Sequence, residues 1–159
     1  MFKKILSRMA LAILPAAIGC TTTSTDCTAI GCGPAFLVQF ERTGAWSPGN
    51  YRVTVVADGE TVECTATLPL DCEGPPPCPS SAGFLVALNG CALDPSQHSI
   101  TGVEFFQGSA PQSVEVRVYQ DDVLLGEDRY FPSYTESQPN GPDCEPVCKN
   151  AEIADLALQ

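Results

Sequence analysis

Nine cysteines stand in a chain of 159 residues, and the first is set apart from the rest. Cys20 closes a segment that opens with Lys3, Lys4 and Arg8 and runs on through uncharged, mostly apolar residues from Met9 to Gly19. That run is too short to span a bilayer, which takes roughly 20 helical residues, and Pro15 interrupts it. A basic start, a short apolar run and small residues at its end follow the order of a secretory signal. The other cysteines are Cys27, Cys32, Cys64, Cys72, Cys78, Cys91, Cys144 and Cys148, an even set. In a chain exported to an oxidising compartment, such a set reads as a disulfide framework. Zinc is the weaker reading, because export outweighs the loose spacing of Cys27–Cys32 and Cys144–Cys148.

Between the cysteines the dominant period is two. Phe36, Val38 and Phe40 share one face of a strand; Tyr51, Val53, Val55 and Ala57 share another. Asp58-Gly59 is a tight-turn signal, and Val62, Cys64, Ala66 and Leu68 line the return strand. Apolar segments at 84–88, 100–106, 114–119 and 123–131 continue the pattern, with Asp121-Asp122 as a second two-residue turn. Residues 71–81 carry three consecutive prolines that cannot donate to a ladder, so they form a loop. Residues 133–146 read as a polar loop. Residues 151–158 read as a last strand, with a helical face as the alternative. About eight short strands divided by turns predict an all-β fold, an antiparallel two-sheet sandwich of immunoglobulin-like or related Greek-key type. The expected divisions are a signal at 1–19, Cys20 with a polar tether at 20–33, and a sandwich domain at 34–159.

That fold suggests a pairing. If the first and last strands run side by side and parallel, the residues entering them are neighbours. This joins Cys32 to Cys148, with Cys27 to Cys144 as the next rung outward. Cys72 and Cys78 flank the proline loop and are expected to close it, leaving Cys64 to Cys91. Local closure, Cys27–Cys32 and Cys144–Cys148, is the rival.

Once the first nineteen residues are removed, Arg42, Arg52, Arg117, Arg129 and Lys149 face all 19 acids; five against 19 is a formal charge of −14. That balance argues against nucleic acid and against an anionic surface bound through a basic patch. Catalytic signals are sparse. His98 is the single histidine; Ser96 and Ser99 lie beside it, but no Gly-x-Ser-x-Gly elbow is present, so His98 is expected to be a surface loop residue. Asp121-Asp122 and Glu127-Asp128 lack the loop that calcium needs and read as solvated edge charges. Among the aromatics, Phe105 and Phe131 are expected in the core. Trp46 and Tyr134 fall in loops and are the candidate exposed contacts for a glycan or protein partner. No metal, cofactor or catalytic set is expected.

Ala17-Ile18-Gly19-Cys20 resembles the lipobox of bacterial lipoprotein signal peptides. The resemblance implies that Cys20 is acylated and becomes the first mature residue, tethered through Thr21 to Thr25. Thr21 is not the Asp that favours the inner membrane in that family, so in a cell with two membranes the outer one is implied. The body, through PGNYRVTVVADG and NGPDCEPVC, is similar to small cysteine-rich bacterial lipoproteins of unknown function. That likeness implies a cell-envelope location and brings no activity. The expected role is a non-enzymatic binding or structural module. The alternatives are an inhibitor-like module presenting residues 72–78 and a small hydrolase.

Overall fold

The computed structural model describes residues 27–159. The signal segment, Cys20 and residues 21–26 lie outside the described residues.

The period-two segments become strands. β1 (Phe36–Arg42) buries Phe36, Val38 and Phe40. β2 (Gly49–Ala57) and β3 (Glu60–Leu68) are joined through Asp58-Gly59, at φ 49° and 88°. Positive φ at both central residues gives a turn whose twist matches its strands. The Asp58 carboxylate also accepts the amides of Gln112 and Ser113, both at 2.9 Å, tying the turn to the next crossing. β4 (Phe84–Asn89) leads through a short 3-10 turn at Pro95–Gln97 into β5 (Ser99–Phe105). β6 (Val114–Gln120) and β7 (Val123–Tyr130) turn at Asp121-Asp122, at φ 46° and 67°. β8 (Thr135–Ser137), β9 (Cys148–Asn150) and β10 (Ala154–Leu158) complete the chain. Among the described residues, no helix is long and apolar enough to cross a membrane.

The strands form two four-stranded sheets, β10-β1-β5-β4 and β3-β2-β6-β7, and a two-stranded ribbon, β8-β9. With β1 taken as strand B of an immunoglobulin-like sandwich, β2 to β7 fall in the places of C, C′, D, E, F and G. The place of strand A beside B is held by β10, which comes from the C-terminus and runs parallel to β1, with Phe40 opposite Leu156. The core lies between the inner faces. Val38, Val53, Val55, Val103, Val116 and Val118 are each no more than 1% exposed, and burying each contributes roughly 1.5–3 kcal/mol. Gly102 permits β1 and β5 to close up, because a Cβ there would meet the Val38 carbonyl oxygen.

Three expectations change. The region 133–146 is not wholly loop, since Thr135–Ser137 pairs with Cys148–Asn150. Residues 27–33 are not free tether. Cys27–Cys144 and Cys32–Cys148 cross-link them to the body, and Ala35 donates to Phe105 and accepts from Ala151. The central disulfides are exchanged relative to expectation: Cys64 joins Cys78 and Cys72 joins Cys91. The prolines explain this. Three in a row rise by roughly 3.1 Å each, so Pro75-Pro76-Pro77 hold Cys72 and Cys78 apart. The strap runs beside β3, where the Pro77 carbonyl accepts the Thr65 amide at 3.1 Å, and this brings Cys78 to Cys64. At its start, the Leu70 amide donates to His98 Nδ1 at 2.9 Å, which brings Cys72 to the segment that holds Cys91.

Candidate functional site

The sheets meet along the edges of β7 and β10. At one end they touch: Gln159 donates to the Leu125 carbonyl at 3.1 Å, and a Cβ on Gly126 would lie 2.6 Å from the Ala157 oxygen. Toward Tyr130 and Ala154 the edges part. The Tyr130 hydroxyl donates to the Asp155 carbonyl at 3.1 Å, and beyond it the edges open into a cleft of about 950 Å³.

Phe36 forms part of the cleft wall, with its ring 5.9 Å from Phe105 and edge-on to Tyr130 at 6.1 Å. The lips are Phe131, 72% exposed, and Ile153, 62% exposed. Thr135, Asn150, Glu152 and Arg129 supply the polar wall. Arg129 is already ion-paired to Glu115, which also holds Arg117. Burial, with the carboxylates of Asp128 and Asp155 nearby, pushes the Tyr130 hydroxyl up to about 12. An aromatic lip, an aliphatic lip and a few hydrogen-bonding groups can hold a surface by contact.

The cleft adjoins the place where the N-terminal segment is fastened. The Asn140 side chain accepts from the Ile30 amide at 2.8 Å and from Thr28 Oγ1 at 2.7 Å. It donates to the carbonyls of Ile30 at 3.0 Å and Glu145 at 2.7 Å. Gln107 does the same one layer on. It donates to the carbonyls of Gly33 at 2.7 Å and Lys149 at 3.0 Å, and accepts the Lys149 amide at 2.7 Å.

The residues singled out from the sequence are not brought together. Trp46 is half-buried at the opposite end, where β1 finishes. Its ring meets Tyr51 edge-on at 5.2 Å and lies under the Arg42 guanidinium at 5.3 Å. Tyr134 is half-buried too; its hydroxyl donates to the Pro111 carbonyl at 2.9 Å. Burial, then the Asp58 carboxylate, pushes that hydroxyl up to about 12. Neither is the free surface aromatic its loop position suggested, because each fills a gap at a sheet end. His98 is buried rather than a surface loop residue, since it caps the Leu70 amide. Ser96 donates to Asp94 at 2.7 Å, and no hydrogen bond links it to His98 among the described residues. Phe105 is in the core, but Phe131 is not: the strand ends at Tyr130 and Pro132 follows, so the ring leaves the sheet. Asp121-Asp122 border a smaller, polar hollow of about 510 Å³ at the Trp46 end, with Arg52 bonded to Glu63 and Asp122. No group of three or more His, Cys, Asp or Glu side chains is placed to hold a metal among the described residues.

Sequence reasoning missed Phe131 and Ile153 as surface groups, and Asn140 and Gln107 as clasps. The Phe131-Pro132 step was the available signal for the first. Nothing in the sequence marks the two amides. Comparisons with protein-family models, curated proteins and solved structures find no match to this chain.

Proposed function

We propose that this chain is a lipid-anchored protein of the cell envelope, acting as a non-enzymatic binding or structural module. The observation that carries the reading is the pair of cross-links Cys27–Cys144 and Cys32–Cys148. Such bridges persist in an oxidising compartment outside the cytoplasm, and they begin a few residues after the lipobox-like Cys20. Acyl chains on Cys20 would hold the domain to a membrane, since two or more chains anchor stably where one does not. Thr21 favours the outer membrane in a cell that has two. Metabolic labelling with radioactive palmitate tests the reading. Wild-type protein is expected to take the label and fractionate with outer membrane, and Cys20→Ser to lose both. A wild-type chain without label, or equal label in the variant, overturns it.

A second reading has one observation in its favour. The strap at 72–78 is stapled at both ends, while Glu73, Pro75 and Pro76 stay exposed, which suits a segment presented to a protease. Inhibition of an envelope protease that is abolished by replacing Pro75 and Pro76 with Gly would favour it over the first.

A further inference from the structure

We propose that the end of the domain carrying the cleft rests on the bilayer, with Phe131 and Ile153 in the interfacial layer. This rests on acylation of Cys20, and it assigns that anchored protein an orientation.

Large apolar residues exposed at this end are Ile30 at 54%, Phe106 at 47%, Phe131 at 72%, Val147 at 40% and Ile153 at 62%. Each is close in the chain to an atom that fastens the N-terminal segment, or lies on the adjoining cleft. Ile30 is clasped by Asn140. Val147 precedes Cys148, the partner of Cys32. Phe106 precedes Gln107, which binds Gly33 and Lys149. Phe131 and Ile153 form the lips of the cleft, beside the ribbon that ends in Asn150. Exposed apolar residues are ordinary on a protein surface, and Leu88, Leu93, Val123 and Leu124 are exposed toward the other end; what sets this group apart is that it lies where the N-terminal segment is fastened.

The chain's own connectivity names the occupant. Cys27 is pinned at this end by Cys144. Cys20 lies seven residues earlier, a reach of at most about 25 Å even fully extended. Acyl chains on Cys20 therefore keep these residues near the membrane, whatever else is present. Aromatic and aliphatic side chains on such a face bury apolar area at the boundary between headgroups and acyl chains. Lys149, exposed and without an ion pair among the described residues, stands among them with a stem long enough to keep its ammonium at the headgroups. Glu136 lies opposite it in the ribbon, and Asp143, Glu145 and Glu152 are exposed within a few residues of it in the chain, so the face suits zwitterionic headgroups better than anionic ones. A protein partner is then met at the other end, by Asp121-Asp122, the proline strap and the loop of Trp46.

The test uses the acylated full chain in phosphatidylcholine vesicles, some carrying bromine on the acyl chains. In a Trp46→Phe background, Phe131→Trp and Ile153→Trp each place one reporter at the lip. Wild-type Trp46 is the reference, since β1 separates the two ends by about 20 Å. Both lip reporters are expected to shift to the blue and to lose at least half their emission to the brominated lipid, with Trp46 unchanged. Vesicles of phosphatidylglycerol are expected to give less quenching. The palmitate label is read on the same samples. A labelled, vesicle-bound protein whose lip reporters are quenched no more than Trp46 overturns the orientation and leaves anchoring intact; a chain without label overturns both.

Discussion

Asn140 holds Ile30 as a neighbouring strand would, accepting its amide at 2.8 Å and donating to its carbonyl at 3.0 Å. Its remaining capacity goes to Thr28 and Glu145, and the residue is only 8% exposed. A buried amide with its hydrogen bonds made is stabilising, whereas its removal strands each partner. Asn140→Ala is expected to cost about 2–3 kcal/mol, read as a lower denaturant midpoint at unchanged slope. Asn140→Asp keeps the acceptor, loses both donors and is expected to cost nearly as much. Variants within about 0.5 kcal/mol of wild type, the range of ordinary surface changes, would show that the disulfides alone hold the segment.

The two terminal rungs are coupled. Cys27–Cys144 and Cys32–Cys148 close loops of sequence separation 117 and 116, so with one formed the other adds only a small ring. In the chain-entropy picture, losing either rung alone costs roughly 3 kcal/mol and losing both costs roughly 7–8 kcal/mol. Serine pairs at each rung and at both, unfolded in denaturant, measure this. A double loss equal to the sum of the single losses would remove the coupling.

The two central bridges differ in access. Cys72 and Cys91 are exposed, whereas Cys64 is 1% and Cys78 8% exposed. Thiol exchange requires that the attacking thiolate reach a sulfur. Under mild reductant at native conditions, Cys72 and Cys91 are expected to be alkylated first, while a peptide joining Cys64 to Cys78 survives. A digest that instead links residue 64 to 91 would contradict the strap's path along β3.

Much of this architecture was legible because its causes are local. Alternation at Phe36-Val38-Phe40 and Val114-Val116-Val118 marks strands without reference to their partners, and the Asp-Gly and Asp-Asp turns mark hairpins. The terminal rungs followed from a topology in which first and last strands lie side by side. What escaped depends on paths through space. The central pairing follows the path of the strap, held by the bond between Thr65 and Pro77 at one end and that from Leu70 to His98 at the other. His98 looked exposed because its neighbours are polar, yet the Leu70 amide needed an acceptor there. Trp46 and Tyr134 sit in loops, but loops that fold back over sheet ends bury their aromatic rings. Phe131 looked like a core residue because it is a large aromatic at the end of an apolar strand, yet it is in phase with Arg129, which pairs opposite Glu115 on the outer face, while Tyr130 opposite Val114 takes the inward place.

Alkaline pH is expected to weaken the fold through two tyrosines. Burial, with acidic neighbours, pushes the hydroxyls of Tyr130 and Tyr134 up to about 12, against about 10 in an unfolded chain. The folded state thus favours the neutral phenol. Its contribution is fully present below pH 10, where both states are protonated. It is lost as the pH rises from about 10 to about 12, because the unfolded chain releases its protons first and is stabilised by doing so. Unfolding midpoints taken at steps from pH 8 to 11.5 are expected to fall most steeply above 10. The fall should be shallower in a Tyr130→Phe, Tyr134→Phe double variant, which also loses the bonds to Asp155 and Pro111 and so starts from a lower midpoint. The slope above pH 10 therefore carries the test, and a double variant whose slope equals that of the wild type would rule these two phenols out as its source.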